Sequence, residues 1–347
     1  MDSKKTDFLK EKIKHIDIKS FDSTQIIDAM SKMSFSSRDT AEAAKTFDMM
    51  LKDKDCAVIL TLAGSTSAGG CMQIYHELVK NNMVDAIVST GASIVDMDFF
   101  EALGFSHYKG TPNVDDNQLR GLYIDRIYDT YIDEEELQTC DKTIGIIAEG
   151  LEPRPYSSRE FIREMGRYLT KNSKKKESLI QIAFEKNVPI FCPAFSDSSA
   201  GFGLVLHQHN RLKQKKPYVS IDSVKDFYEL TRIKMDAKTT GLFMVGGGVP
   251  KNFAQDTVIC AELLGKEVPM HKYAIQITVA DPRDGACSSS TLKEAASWGK
   301  VDTTYEQMVY AEATTVLPLI GSYIYHKGNW KARTGFEFGK KLDENKI

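Results

Sequence analysis

Five short apolar segments, each followed by a turn of small residues, constrain the fold of this chain more than any other feature. The segments cover residues 57–63, 84–90, 188–194, 240–245 and 272–280, and their turns read GSTSAGG, GAS, FSDSSAG, GGG and DPRDG. Helix-length stretches separate them. Apolar, β-branched segments of this kind are typical of strands buried on both faces. The pattern predicts an α/β fold, a parallel sheet with helices on both faces.

A helical pattern precedes the first strand. Between residues 13 and 51, apolar positions such as Ile16, Ile26, Met30 and Phe47 are separated by polar ones. This spacing is typical of amphipathic helices. It predicts an N-terminal helical extension.

The composition excludes several classes of protein. Of 347 residues, 42% are hydrophobic and 27% charged, which is enough apolar material for a large core and excludes coil, collagen and disorder. Lys and Arg number 45 against 48 Asp and Glu, so we expect no nucleic-acid partner.

The apolar runs are too short or too polar to span a bilayer, and the start lacks the apolar core of a signal peptide. We therefore expect no membrane partner and a cytoplasmic location. The six cysteines include no CxxC pair, so we expect reduced thiols and no metal site.

The turns themselves predict a ligand site. In parallel sheets, ligands bind outside the carboxyl ends of the strands. Any one turn of this type needs small residues for structural reasons, but five together favour a site. The turn at 64–70 offers small side chains, backbone N–H groups and the start of a helix, which suit a pyrophosphate, although its spacing is not GxGxxG. Asp96 and Asp197 are candidate acceptors for ribose hydroxyls, and a helix N-cap is an equally good interpretation of either.

The segment DGACSSSTLKEAASWGK, residues 284–300, is the most informative one. An apolar wall beside a lysine favours the neutral amine, which can attack a carbonyl or imine carbon. Trp298 could supply that wall and hold a cationic amine against its π face, and Glu294 could pair with an ammonium group. A surface helix with a packed tryptophan and an exposed Lys300 is the competing interpretation, and composition alone favours it.

This segment and several others resemble the deoxyhypusine synthase family. EAASWGK at 294–300 is similar to the family's active-site signature. The likeness continues in register through NNMVDAIVSTGASIVDMD at 81–98, RIYDTYI at 126–132, VPIFCPAFSDSSAG at 188–201, GLFMVGGGVPKN at 241–252 and AEATTVLPLI at 311–320. It covers roughly residues 50 to 325.

The resemblance implies a Rossmann-like NAD enzyme, usually a homotetramer with active sites between paired subunits. Members of the family oxidise the secondary amine of spermidine with NAD and capture the imine carbon on a lysine. They then pass the aminobutyl group to an acceptor amine and reduce the new imine with the same NADH. A site of this kind needs a dinucleotide, a nucleophilic lysine, an aromatic wall and carboxylates together.

The resemblance also assigns residues. Lys300 matches the Schiff-base lysine, Trp298 the stacking tryptophan and Glu294 an amine-binding glutamate. Asp96 stands in place of a glutamate and Glu312 in place of an aspartate. The positions that match the family's cofactor site are Gly64, Ser65, Gly69, Thr90, Gly91, Asp96, Asp197, Ala280, Asp284, Glu312 and Ala313.

Departures from the family concern the substrate. Phe202 and Cys287 stand where spermidine-handling members carry aspartates, and Asn252 stands in place of a histidine. A polycation depends on such carboxylates, because each charge-assisted hydrogen bond contributes about 1.5–3 kcal/mol. Arg283 could accept a carboxylate-bearing substrate, and a structural salt bridge is an equally good interpretation.

We therefore expect three parts: an N-terminal helical extension (1–50), an NAD-binding catalytic domain like deoxyhypusine synthase (51–330) and a C-terminal tail (331–347). The expected activity is NAD-dependent transfer of an aminoalkyl group through an imine on Lys300. The expected substrates are small amines or polyamines, with a small amine such as putrescine or agmatine as acceptor. One alternative is true deoxyhypusine synthase, which modifies a lysine of the translation factor that carries hypusine. Another is a catalytically silent NAD-binding subunit, against which the retained triplet of Glu294, Trp298 and Lys300 argues.

Overall fold

The computed structural model describes residues 3–284 and 290–347, in which strands and helices alternate along most of the chain. The strands are β1 (Cys56–Leu62), β2 (Ala86–Ser89), β3 (Tyr108–Lys109), β4 (Ile124–Ile127), β5 (Thr130–Asp133), β6 (Pro155–Tyr156), β7 (Ile190–Phe191), β8 (Ser220–Ile221), β9 (Thr239–Val245), β10 (His271–Thr278) and β11 (Val301–Tyr310). The helices are α1 (Ser3–Phe8), α2 (Thr24–Met30), α3 (Phe35–Lys52), α4 (Met72–Lys80), α5 (Phe100–Ala102), α6 (Asp116–Gly121), α7 (Glu134–Glu149), α8 (Ser158–Asn172), α9 (Leu179–Glu185), α10 (Ser199–Lys213), α11 (Ser223–Asp236), α12 (Gly248–Gln255), α13 (Thr257–Leu263), α14 (Leu292–Ser297), α15 (Ala313–Lys327) and α16 (Phe338–Asp343). Two π-helical turns cover Ser67–Cys71 and Ala92–Phe99, and a 3₁₀ turn covers Asn329–Ala332.

A six-stranded parallel sheet forms the centre, in the order β11-β10-β9-β1-β2-β7. Every residue of β1 is buried, as expected of a strand covered on both faces. The five predicted strands are all present, so the predicted α/β fold is confirmed. The remaining strands form a small antiparallel sheet, β3-β5-β4, and a two-stranded pair, β6-β8.

Helices cover both faces of the parallel sheet. Because side chains alternate along a strand, Ile59 and Leu60 belong to different core clusters. Ile59 packs in the cluster that α11, α12, α14 and α16 contribute to. Leu60 packs in the larger cluster, which includes residues of α3, α4 and α15. The sheet is therefore the middle of three layers.

Two features differ from the sequence-based expectation. The edge strand β11 was not among the predicted strands, because its sequence VDTTYEQMVY is largely polar and most of it is incompletely buried. The helix predicted from residue 13 is wrong over residues 13–23, since the first helix of that stretch begins at Thr24. Instead the backbone N–H of Ile13 donates to His107 O and that of Ile16 to Gly70 O, so tertiary contacts replace the helical bonds.

The C-terminal segment 331–347 packs against the sheet. Phe338 and Leu342 of α16 are buried in one of the two main core clusters. Arg333 Nη2 donates to Asp85 Oδ2 at 2.6 Å, and both side chains are almost completely buried. Burial raises the pKa of Asp85 to about 6, although the Arg333 charge and hydrogen bonds from Val58 and Phe336 oppose that rise. In the described residues, no helix is long and apolar enough to cross a membrane.

Candidate active site

Most of the predicted cofactor residues lie where the parallel strands end, at one edge of the sheet that we call the carboxyl edge. Gly64 and Ser65 follow β1, and Thr90 and Gly91 follow β2. Glu312 follows β11. Ala280 and Asp284 follow β10, and Ala313 is the first residue of α15. Because all six strands are parallel, these turns meet at a common edge.

The turns after β1 and β2 are in direct contact. Ser93 Oγ donates to the carbonyl oxygen of Gly64 at 2.9 Å and lies 3.1 Å from Thr90 Oγ1. Gly64 has φ +74°, which favours glycine, and a Cβ at this position would meet no heavy atom within 4 Å. At Gly91, in contrast, a Cβ would lie 2.6 Å from Ser198 Oγ, so the chain approaches this turn too closely for a side chain.

The two aspartates proposed for ribose lie beside that close approach. Asp96 Oδ1 accepts the backbone N–H of Ser199, the first residue of α10, at 2.7 Å. Burial raises the pKa of Asp96 to about 6, while the hydrogen bonds from Ser199 oppose the rise. Asp96 thus stabilises the start of a helix, as the alternative interpretation expected, but of a helix remote in sequence. Asp197 is exposed and lies close enough for its charge to act on Asp96.

Glu312 caps the helix that follows β11. Its carboxylate accepts the backbone N–H groups of Thr314 and Thr315 at 3.0 and 3.1 Å. These bonds hold the pKa of Glu312 below its usual range, although partial burial opposes them. The turn at 64–70 contacts this helix start, because a Cβ on Gly69 would lie 3.4 Å from Thr314 Cγ2. The carboxyl edge therefore joins the ends of β1, β2 and β11.

These residues fit a dinucleotide. The open turn at Gly64 leads into a helical turn, and the first N–H groups of a helix have no partner within it and attract phosphate. Exposed carboxylates of Asp197 and Glu312 can accept ribose hydroxyls. A dinucleotide needs both kinds of group at one sheet edge.

Lys300 lies at the amino ends of the strands, opposite the carboxyl edge, and immediately precedes β11. Its backbone carbonyl accepts the N–H of His271, the first residue of β10, at 2.9 Å. Its Nζ forms an ion pair with Asp256 Oδ1 at 2.5 Å, and the Lys300 side chain is 16% exposed. The same Nζ lies 5.1 Å from the centroid of the Trp298 ring, which is mostly exposed. A lysine amine is thus held between a carboxylate and an aromatic face.

The other predicted substrate residues lie on several different elements. Glu294 forms a capping box with Thr291 at the start of α14, and the backbone N–H of Thr291 is the main cause that lowers the pKa of Glu294. Arg283 makes two hydrogen bonds to Asp281, at 3.0 and 2.7 Å, so the salt-bridge interpretation describes its contacts. The remaining three differ in their surroundings. Phe202 is exposed on α10, Asn252 is partly buried on α12, and Cys287 lies outside the described residues.

Within one chain, Lys300 lies far from the candidate cofactor turns. His271, beside Lys300, and Thr278, which precedes Ala280, are separated by seven strand steps, or about 23 Å. A lysine side chain is too short to close that gap. This separation supports a site completed by a second subunit, which stays a prediction.

Asp256 is the residue of this site that the sequence analysis missed. It lies between α12 and α13, 44 positions before Lys300 in the chain. No local pattern connects two residues so far apart, and the turn between two helices gives many aspartates a purely structural role. Only the tertiary structure shows the pairing, since His271 at the start of β10 bonds both to Ala254 of α12 and to Lys300.

The fold and site together define an α/β protein with a glycine-rich sheet edge and a paired lysine. A family model, deoxyhypusine synthase, matches residues 25–324. A deoxyhypusine synthase-like protein of Coxiella burnetii is 69% identical over 335 residues, covering 96% of this chain and 94% of that protein. The "Probable deoxyhypusine synthase 2" of Methanosarcina mazei is 38% identical over 320 residues, covering 92% and 91%. The chain belongs to the deoxyhypusine synthase family, which confirms the resemblance.

Solved structures support the fold. A chain from Entamoeba histolytica assigned as a deoxyhypusine synthase superimposes with a TM-score of 0.59 at 20% identity, covering 94% of this chain and 99% of that one. At this identity the likeness concerns the fold alone. It agrees with the three-layer arrangement around the parallel sheet.

Proposed function

We propose that this protein is an NAD-dependent aminoalkyl transferase that carries the transferred group as an imine on Lys300. The observation that carries the proposal is the position of Lys300 Nζ, 2.5 Å from the Asp256 carboxylate and 5.1 Å from the Trp298 ring centroid, in a chain of the deoxyhypusine synthase family. An amine nucleophile needs a group that takes its proton, and a carboxylate at hydrogen-bond distance can do so. The aromatic face of Trp298 can stabilise the positively charged C=N group of the iminium intermediate.

The reaction balances without net redox change. The donor amine loses a hydride and a proton, which leaves an imine. The Lys300 amine adds to the imine carbon, and the carbon–nitrogen bond to the leaving amine breaks. The acceptor amine then displaces the lysine in the same way, and the hydride returns to the carbon. NAD supplies the hydride acceptor, and residues at the carboxyl edge, such as Gly64, Thr90 and Glu312, would hold it.

The side chains around the site favour a small amine acceptor. Phe202 is exposed and apolar where spermidine-handling members carry an aspartate, so a carboxylate is missing on α10. Asp256 places one carboxylate beside Lys300 instead. Putrescine and agmatine each carry two positive charges against the three of spermidine, so either needs fewer anionic partners. Transfer to a lysine of the hypusine-containing translation factor is the alternative that the acceptor assay decides.

Two further parts of the proposal concern the cofactor and assembly. NAD binds at the carboxyl edge and stabilises the fold by RT ln(1 + c/Kd), where c is its free concentration, so the effect grows with the logarithm of c once the site is saturated. A homotetramer, or at least a two-fold dimer, supplies the lysine and the cofactor turns to one cleft from two chains. The distance along β10 between Lys300 and the carboxyl edge supports that arrangement.

Trapping the covalent intermediate tests the proposal. The purified protein is incubated with NAD and each of spermidine, putrescine and agmatine, then treated with borohydride, and peptides are analysed by mass spectrometry. We expect an adduct on Lys300 and transfer products with a small amine. Lys300→Arg should bind NAD but trap nothing, because arginine stays protonated. The control Lys293→Arg, at an exposed lysine of α14, should trap normally. An adduct on another lysine, or near-normal turnover of Lys300→Arg, would contradict the mechanism.

A further inference from the structure

Three buried polar residues form a hydrogen-bonded chain that ends next to Lys300. Lys234 of α11, Thr240 of β9 and His271 of β10 are each 0% exposed. Lys234 Nζ donates to Thr240 Oγ1 at 2.7 Å, and Thr240 Oγ1 lies 2.8 Å from His271 Nδ1. His271 Nε2 lies 3.2 Å from the backbone oxygen of Ala254. Within residues 3–284 and 290–347 no carboxylate pairs with Lys234, so its placement needs an explanation.

The partners determine the direction of every bond in this chain. The Ala254 oxygen can only accept, so His271 Nε2 carries a proton and donates. In the neutral ring Nδ1 then has no proton and accepts the hydroxyl hydrogen of Thr240. The Thr240 oxygen in turn accepts from Lys234. Burial and the Lys234 charge both lower the pKa of His271 well below its ordinary range, which agrees with a neutral ring.

His271 bonds to Lys300 and to the helix that leads to Asp256. Its backbone N–H donates to the carbonyl of Lys300 at 2.9 Å. Its ring N–H donates to the carbonyl of Ala254, two residues before Asp256. One residue therefore connects the segment that carries the amine to the helix junction that carries the carboxylate.

The pairing of β10 with β11 is irregular at this point. The register of β10 and β11 shifts between the pairs His271↔Val301 and Tyr273↔Tyr305, so β11 contains two extra residues there. Regular ladder bonds are lost in such an irregularity. The His271 contacts are therefore the closest cross-strand restraint on Lys300.

We propose that His271 is a positioning residue for Lys300, which sets the distance between its amine and Asp256 through the ring bond to Ala254, while Thr240 and Lys234 hold the ring in one tautomer. This rests on the proposed function insofar as Lys300 is the reacting amine. His271 is completely buried, so it acts through Lys300 and Asp256 rather than on a substrate directly. Loss of the ring bond to Ala254 should separate the pair without unfolding the chain.

Two substitutions test the roles of the two ring nitrogens of His271 separately. His271→Gln keeps an N–H near the position of Nε2 and with it the bond to Ala254. His271→Asn keeps an acceptor near the position of Nδ1 for Thr240 but cannot reach Ala254. Both keep the backbone N–H that holds the Lys300 carbonyl. His107→Asn serves as the control, because it removes another buried, hydrogen-bonded ring that lies in the region of the small antiparallel sheet.

Two measurements are made on each variant. The first is the kcat and KM of amine transfer, with borohydride trapping on Lys300. We expect His271→Asn to lower kcat at least tenfold with KM within threefold, and His271→Gln to restore kcat to within about threefold of the parent. The second measurement needs no turnover: the rate of reductive methylation of Lys300 by formaldehyde and borohydride, followed by peptide mass spectrometry. We expect at least a threefold faster rate in His271→Asn only.

The outcomes distinguish this inference from the proposed function. If the parent protein traps no amine on Lys300, the proposed function fails, and the methylation rate still tests the positioning. Equal methylation rates in His271→Asn, His271→Gln and the parent would overturn the inference. So would losses that follow thermal stability alone and appear equally in His107→Asn.

Discussion

Replacing Lys234 by methionine should stabilise the protein near neutral pH, and the gain should fade as the solution becomes alkaline. Burial lowers the pKa of Lys234 to about 8, against about 10.4 in an unfolded chain. Below pH 8 both states are protonated, and the folded state carries the full cost of a buried charge. At 1.36 kcal/mol per pKa unit this cost is about 3 kcal/mol. Methionine has a similar length and no charge to desolvate.

The sign of the pH dependence follows from proton binding. Between pH 8 and about 10.4 the unfolded parent binds more protons than the folded parent, so the free energy of unfolding of the parent rises with pH. The variant lacks this contribution. The difference between variant and parent should therefore fall by about 2 kcal/mol from pH 7 to pH 10. The lost hydrogen bond to Thr240 lowers the difference by about 1 kcal/mol at every pH and leaves its slope unchanged.

Urea unfolding at pH 7, 8, 9 and 10, at one protein concentration, measures this difference. The control is Lys238→Met, four residues further on, whose side chain is 79% exposed and pairs with an exposed aspartate. Its effect should be small and nearly independent of pH. A difference for Lys234→Met that stays constant from pH 7 to 10 would refute the buried-charge reasoning.

Three further predictions concern the core and the site. Arg333→Met leaves the buried Asp85 carboxylate unpaired and should lower the free energy of unfolding by about 3–5 kcal/mol in urea titrations, whereas a smaller loss would show that water reaches it. Gly91→Ala places a Cβ 2.6 Å from Ser198 Oγ and should weaken NAD binding, measured as a smaller NAD-induced rise in melting temperature, with an unchanged rise contradicting the cofactor assignment. Asp256→Asn keeps the size and removes the charge beside the lysine, so trapping should slow at least tenfold while NAD binding is kept; normal trapping would exclude Asp256 as the proton acceptor.

Strand placement followed from local sequence because fully buried strands must be apolar throughout. The segment 57–63 shows this pattern, and β1 occupies Cys56–Leu62. The same criterion failed for β11, an edge strand whose exposed side chains are polar. The helical spacing of apolar residues failed as a criterion at residues 13–23, where the backbone N–H groups of Ile13 and Ile16 donate to remote carbonyls. Local pattern is reliable where burial alone decides the residue type, and it fails where contacts with distant segments decide the conformation.

The sequence by itself determined the fold class, the turns at the strand ends and the family, because each depends on neighbouring residues or on motifs in register. Only the tertiary structure paired Asp256 with Lys300 and placed Lys234, Thr240 and His271 in one buried chain. The Thr240–His271 and Asp256–Lys300 contacts join residues 31 and 44 positions apart. Lys234 and Thr240 are six positions apart but lie on a helix and on a strand. Charge and hydrogen-bond complementarity between separate elements leaves no periodic pattern in a single sequence, since a lysine or an aspartate taken alone is most often exposed.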